Sequence, residues 1–320
     1  MKKPSALITG ITGFAGSYLA EELLTHGYTV SGTVYNNEPT NNIKNIIKDL
    51  QLVALDILKP EKCRRVVNKI KPDYIFHLAA IASVSQSFKM ERLTFNINFD
   101  GTLNMLEAAR ELPGLKKFIF IGSAECYGIF SPPEKTLTEN QPFNPISPYG
   151  VSKAAAEQVT RYYARHHQLP VGIARPFNHS GPRQNEHFVI PAFARQVALI
   201  EVGRQGPVMK VGDLSPQRDL SDVRDIVCGY RLIGEKGRPG EVYHLSTGKA
   251  VSIKTVLDTL LKLAHKTIKV TTDKSRLRPN DIPVLRGNNK KAVQQLGFKI
   301  RYSLQDTLQD TLNYWRNQVQ

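Results

Sequence analysis

One segment constrains the fold more than any other. Residues 6–9, Ala-Leu-Ile-Thr, form a short apolar run, Gly10-Ile-Thr-Gly13-Phe-Ala-Gly16 follows, and an amphipathic pattern extends over 14–26. Strand, glycine turn and helix in that order place an anion site at a helix N-terminus. The first glycine permits a tight turn, the second lets backbone N–H groups approach a pyrophosphate, and the third lets helix and strand pack closely. The spacing G-x-x-G-x-x-G departs from G-x-G-x-x-G and is weak in isolation, because structural turns also carry glycines. Its strand–turn–helix context points to a dinucleotide, with Gly10, Gly13, Phe14, Ala15 and Gly16 as candidate contacts.

The first half repeats this alternation. Gly27 is the expected helix C-cap, and 28–34 reads as the second strand. Apolar runs at 52–55, 74–78, 118–121 and 171–174 predict further strands, the last ended by Pro176. Helical patterns at 60–70, 92–111 and 148–167 lie between them. The expectation is an α/β fold, a Rossmann-type doubly wound parallel sheet over 1–175. After residue 176 glycine and proline become frequent, which predicts a smaller interleaved α/β lobe over 176–320, with about 220–235 returning to the first domain. Leu304, Leu308, Leu312, Trp315 and Val319 share one stripe of a final packed helix. A cleft between the two parts is where such sheets bind ligands.

Composition removes several classes. The chain has 320 residues, 41% hydrophobic and 22% charged, which excludes a disordered or collagen-like chain. Cys63, Cys126 and Cys228 are far apart and form no C-x-x-C, against a zinc ribbon or disulfide scaffold and in favour of a reducing compartment. No metal site is expected. No apolar run approaches the ~18 residues of a membrane span, and the N-terminus lacks a signal-type apolar region. The expectation is a cytoplasmic protein with no membrane partner. With 43 Lys+Arg against 28 Asp+Glu the net charge is +15, which predicts attraction to phosphorylated ligands. Lys2-Lys3, Lys116-Lys117 and Lys290-Lys291 are isolated doublets without an aromatic array, which argues against nucleic acid.

Two positions bear on the cofactor. The second strand ends Thr33-Val-Tyr-Asn-Asn37, neither acidic nor basic, so NAD and NADP stay unseparated. Asp56, closing the third strand, suits an adenine amine or a helix N-cap.

Tyr149-Gly-Val-Ser-Lys153 sets a phenol and an ammonium four residues apart on one helix face. A nearby cation favours the phenolate of a tyrosine whose ordinary pKa is about 10. Ser123, just past the strand at 118–121, would supply a hydroxyl at that strand's C-terminal end. Asn98, in the preceding helix, is placed to fix the Lys153 ammonium or a proton-relay water. The set would polarise a carbonyl or alcohol beside a nicotinamide.

These motifs, with His77-Leu-Ala-Ala80, Asn98 before Gly101-Thr102, and Ser123-x-Glu125-x-Tyr127-Gly128, resemble in order the extended short-chain dehydrogenases/reductases that act on nucleotide sugars. The likeness runs almost end to end. Arg175-Pro-Phe-Asn-His-Ser-Gly-Pro182, Val211-Gly-Asp-Leu214 with Arg218-Asp219, and Arg276-Leu-Arg-Pro-Asn-Asp-Ile-Pro283 are similar to the GDP-mannose branch, which contains 4,6-dehydratases and 4-keto-6-deoxymannose reductases. The resemblance implies a homodimer and Ser123, Glu125, Tyr149 and Lys153 as the catalytic set. It implies cofactor contacts at Asn36, Asp56, Ile57, Leu78, Ala79, Ala80, Asn98, Tyr149, Lys153 and Pro176. Substrate contacts are implied at Ser83, Glu125, Asn178, His187, Val189, Lys210, Arg218, Arg278 and Asp281. Guanidinium forks at Arg218 and Arg278 suit a diphosphate.

The dehydratases of this branch are expected to carry Thr-Ser-Glu where this chain reads Ser123-Ala124-Glu125. Ala124 donates no proton, so the expected reaction is NAD(P)H-dependent reduction of the C4 ketone of a GDP-4-keto-6-deoxyhexose. A 4,6-dehydratase is the first alternative. A 3,5-epimerase-reductase is the second, using Glu125 with His187, whose bland reading is a substrate contact or helix cap. A non-catalytic dinucleotide sensor or RNA-binding relative is the remaining one, and the intact Ser/Tyr/Lys set argues against it.

Overall fold

The computed structural model describes residues 3–36, 38–130, 136–276 and 281–320. Its first half comprises β1 (Ser5–Thr9), α1 (Phe14–Thr25), β2 (Thr29–Val34), β3 (Leu50–Ala54), α2 (Pro60–Ile70), β4 (Tyr74–His77), α3 (Val84–Ser87), α4 (Glu91–Phe95), α5 (Gly101–Arg110), β5 (Lys117–Ile121), α6 (Pro148–His166) and β6 (Val171–Pro176). The second half comprises β7 (Asn178–Ser180), α7 (Val189–Glu201), β8 (Val208–Val211), β9 (Gln217–Asp222), α8 (Val223–Lys236), β10 (Val242–Leu245), β11 (Ala250–Ser252), α9 (Ile253–Leu263), β12 (Lys269–Thr272), β13 (Val284–Leu285), α10 (Lys290–Leu296) and α11 (Leu304–Gln318).

Seven parallel strands form the main sheet in the order β3-β2-β1-β4-β5-β6-β10. This is the expected Rossmann-type doubly wound sheet. Strand periodicity builds its two faces. Ala6 and Ile8 pack with Leu19 and Leu23 of α1 and Ile226, Tyr230 and Ile233 of α8. Leu7 points the other way, with Ile75, Phe118 and Phe120, against Val67 of α2, Met105 and Leu106 of α5 and Ala156 of α6. Both faces are covered, so the central strands read as continuous apolar runs rather than alternating ones. The chain order reverses between β1 and β4, which opens a crevice at their C-terminal ends.

After β7 the chain leaves and returns. α8 packs beside α1, and β10 extends the main sheet, so the return reaches further than 220–235. The remaining elements surround a separate core in which Ile190, Phe193 and Val197 of α7 meet Val256 and Leu260 of α9 and Leu308 and Leu312 of α11. The apolar stripe of the final helix is therefore packed. A small sheet β11-β9-β13, with β7 beside β9, and the pair β12-β8 complete this part. Among the described residues no helix is long and apolar enough to cross a membrane.

One predicted helix is broken. The pattern at 92–111 forms α4, a π-helical turn at Asn96–Asp100, and α5. Thr102 Oγ1 donates to Asn98 O at 2.6 Å while Asn98 turns its side chain inward, so side chains compete with the regular ladder. Gly101 follows because a Cβ there would lie 2.5 Å from Ile57 Cδ1.

Candidate active site

The glycine turn is dictated by close backbone contacts. Gly10 has φ +72°, and a Cβ on it would come 3.1 Å from the Ala79 backbone. A Cβ on Gly16 would fall 2.2 Å from Gly10 O, and one on Gly13 3.2 Å from the same oxygen. α1 opens at Phe14 and Ala15 with neither a side-chain cap nor an acidic residue in its first turn. This cradle of bare helix N–H groups fits a dinucleotide pyrophosphate.

The far wall is the segment after β4. Thr9 Oγ1 accepts from the N–H groups of Leu78 and Ala79, both at 3.1 Å. His77 is buried between Thr9 (2.9 Å) and Thr102 (3.1 Å), and burial pushes its pKa down to about 3, so it is neutral. Leu78 and Ala79 thus spend their N–H groups inside the protein. Thr9 was given no role in the sequence, and His77 entered only within the motif His77-Leu-Ala-Ala80; a threonine closing β1 opposite a histidine closing β4 is the signal.

The helix carrying the phenol and the ammonium has a well-specified start. Ser147 caps it, accepting from Gly150 N–H at 3.0 Å, and Pro148 occupies the first turn. Tyr149 and Lys153 then sit one turn apart, both buried. The Tyr149 hydroxyl is hydrogen-bonded to Ser123, and burial raises the phenol's pKa. Lys153 Nζ donates to Ile121 O, the last carbonyl of β5, at 2.7 Å and lies over the Phe120 ring. Burial pulls Lys153 down to about 8. Ser123, Tyr149 and Lys153 therefore converge at the C-terminal end of β5. Glu125 N–H donates to Ser123 Oγ at 3.2 Å, so the carboxylate-bearing residue starts the short turn behind the hydroxyl.

Several expectations are revised. Asn98 does not hold the Lys153 ammonium: it gives its amide to Ser152 Oγ and Ile81 O and accepts from Ile81 N–H, because the π turn rotates it toward that loop. Asp56 is not a helix cap; Lys59 is the N-cap of α2, and Asp56 Oδ1 accepts Leu58 N–H in a local turn. Arg218 is not a free fork, since it donates to Gln217 O, Ile282 O and Asp281 Oδ1. Asp281 is consequently an ion-pair partner. Arg278 lies outside the described residues.

The other candidates are spread over the fold. Asn36 has φ +46° just after β2, and Ile57 is buried against Gly101. Ser83 caps α3, and Pro176 ends β6. Asn178 begins β7 with a buried Oδ1 that has no hydrogen-bond partner among the described residues. His187 is exposed and, with Gly13, Phe14, Arg183 and Trp315, lines a cleft of about 420 Å³; Val189 opens α7 beside it. Lys210 lies apart, in a second cleft of about 340 Å³ with Arg195 and Arg276.

The family model for GDP-mannose 4,6 dehydratase matches residues 7–311. The chain belongs to the GDP-mannose 4,6-dehydratase family. Its members are nucleotide-sugar dehydratases and reductases of the extended short-chain type, and they use NAD(P). The chain is 29% identical to a GDP-6-deoxy-D-mannose reductase of Pseudomonas aeruginosa, over 98% of this chain and 97% of that protein. It is 34% identical to GDP-mannose 4,6 dehydratase 2 of Arabidopsis thaliana, over 92% of this chain and 82% of that protein. The structure of RMD from Pseudomonas aeruginosa complexed with NADPH superposes with a TM-score of 0.83 at 28% identity, covering 99% of this chain and 100% of that one.

Proposed function

We propose that this member of the GDP-mannose 4,6-dehydratase family is a reductase, using NAD(P)H on the C4 ketone of a GDP-4-keto-6-deoxyhexose. The observation that carries this is Ala124. It lies between Ser123 and Glu125, is 1% exposed and packs with Tyr127, Phe177 and Ile282. A dehydratase needs an added acid beside the Ser/Tyr/Lys set, and an apolar core residue stands in its place.

Reduction needs only what converges at β5. A reduced dinucleotide held by its pyrophosphate at the glycine turn would supply the hydride for the C4 carbonyl. Tyr149, kept protonated by burial, gives its phenolic proton to the carbonyl oxygen. Ser123 donates a hydrogen bond to the same oxygen as charge develops on it. Lys153, held by Ile121 O, places a cation one turn from the phenol and eases loss of its proton.

We assign residues 1–175, with the returning α8 and β10, to the cofactor, and the rest of 176–320 to the sugar nucleotide. Asn178, whose buried oxygen has no hydrogen-bond partner among the described residues, and His187, in the cleft beside Gly13, are the substrate contacts best supported by their surroundings. Leu93, Val151 and Tyr162 expose apolar surface on α4 and α6, which supports pairing of two copies through these helices.

The test presents GDP-mannose and GDP-4-keto-6-deoxymannose separately and follows products by mass and NMR. Consumption of cofactor and formation of a GDP-deoxyhexose from the keto sugar alone is the expected result. Loss of water from GDP-mannose without net cofactor use would establish the dehydratase, and solvent deuterium entering C3 or C5 the epimerase-reductase.

A further inference from the structure

Ser123 stands where β5 ends and a short turn begins, so the direction of its hydroxyl depends on what fixes that turn. Upstream, Gly122 N–H donates to Ala174 O at 2.8 Å and ties the end of β5 to β6. Downstream, the chain makes one 3₁₀ turn over Ala124–Tyr127, which Ser123 caps. Such turns have poor hydrogen-bond geometry. Cys126 N–H to Ser123 O and Gly128 N–H to Glu125 O are both 3.3 Å, beyond the usual range of about 2.7–3.2 Å. The turn draws its support from outside itself.

Tyr127 supplies that support. It closes the turn, its side chain is fully buried, and its hydroxyl meets three separate segments. The hydroxyl accepts from Arg175 Nη1 on β6, meets His244 Nε2 on β10 at 2.5 Å, and donates to Thr138 O at 3.2 Å. The rings of Phe143 and His244 stand edge-on to the phenol. Arg175 is in turn held by the Glu157 carboxylate of α6. One buried oxygen thus connects the turn after Ser123 to the helix that carries Tyr149 and Lys153. A phenyl ring at this position keeps the packing with Ala124 and Phe177 and loses the connection.

We propose that Tyr127 is a positioning residue for hydride transfer, its hydroxyl fixing the turn that aims Ser123 at the carbonyl oxygen. The proposal rests on the role given to Ser123 in the proposed reduction. A donor displaced by about 1 Å loses much of a hydrogen bond made in the transition state, and such misplacement costs up to ~100-fold in rate. Among the described residues none of the hydroxyl's hydrogen bonds reaches the glycine turn, so cofactor affinity is separate from this effect.

The experiment is a kinetic double-mutant cycle on the full chain: native protein, Tyr127→Phe, Ser123→Ala and the double variant. Each is assayed well below its melting midpoint with GDP-4-keto-6-deoxymannose and NADH or NADPH, whichever supports turnover. Tyr127→Phe is expected to lower kcat about tenfold and to leave KM for the keto sugar and the cofactor dissociation constant within about twofold. In the Ser123→Ala background the same change should cost less than about twofold, because residues that act as a unit are not additive. A native-like kcat in Tyr127→Phe, or an equal fold loss in both backgrounds, would overturn the positioning role. If Tyr127→Phe does not fold, His244→Leu removes one partner of the same hydroxyl and takes its place in the cycle, with the same expected and overturning results. Turnover of GDP-mannose in place of the keto sugar would overturn the reductase reading alone, since the cycle run on that reaction still decides Tyr127. Native protein inactive on both sugars would overturn both.

Discussion

Tyr149→Phe is expected to lower kcat by at least ~100-fold, the scale of a lost general acid, and to leave the dissociation constant of the reduced cofactor unchanged. The reason is geometric. Tyr149 is buried, its hydroxyl meets Ser123, and the backbone of α6 at this point is held independently by Ser147 and by Ser87 Oγ, which accepts Tyr149 N–H at 3.2 Å. Removing one oxygen therefore takes away the proton without moving the helix. Steady-state kinetics with a parallel cofactor titration checks this, and a kcat within a few-fold of native would remove Tyr149 from the proton-donating role.

The second large effect is on stability, and it comes from the same helix. Tyr149, Lys153 and Glu157 follow one another every fourth residue, so the catalytic face continues into the core. Glu157 is fully buried and accepts from Arg175 Nε at 2.8 Å and Nη2 at 2.5 Å, with Arg161 Nε at 2.9 Å. Arg175, on β6, also donates to Glu139 O and to the Tyr127 hydroxyl, and it lies over the Phe143 ring. This two-pronged pair clamps α6 onto the sheet directly behind Ser123. Glu157→Ala leaves a buried guanidinium without its carboxylate, and the expected loss is about 3–5 kcal/mol in denaturant unfolding. Replacing both partners by apolar residues, Glu157→Leu with Arg175→Met, is expected to recover much of that loss, because no unpaired charge remains. A single-variant loss below about 1 kcal/mol would show that the pair contributes little to the clamp.

How legible this was from sequence depended on the range of the interaction. The strand–turn–helix at residues 6–16 and the Tyr149/Lys153 spacing are local, fixed by periodicity and by glycine sterics, and the structure places them as read. The break at Asn96–Asp100 was hidden because its cause is a competition between side chains and backbone: Asn98 reaches a loop 17 residues away in sequence, and Thr102 pulls on its carbonyl. Pairings across the fold were equally invisible. Arg218 reads as a diphosphate fork in the sequence, whereas in the fold it is taken up by Asp281 and the carbonyl of Ile282, 63 and 64 residues away. The excess positive charge proved weakly informative. Arg175, Arg183, Arg218 and Arg231 are absorbed in internal ion pairs, which composition alone does not separate from ligand-binding cations.

Reductase and dehydratase chemistry share the Ser/Tyr/Lys set and differ in where hydride ends. The most direct test supplies GDP-4-keto-6-deoxymannose with reduced cofactor deuterated at its transferable hydrogen. Deuterium is expected at C4 of the product sugar, with cofactor oxidised in equal amount. A product without deuterium at C4, from an enzyme that dehydrates GDP-mannose with no net cofactor consumption, would contradict it.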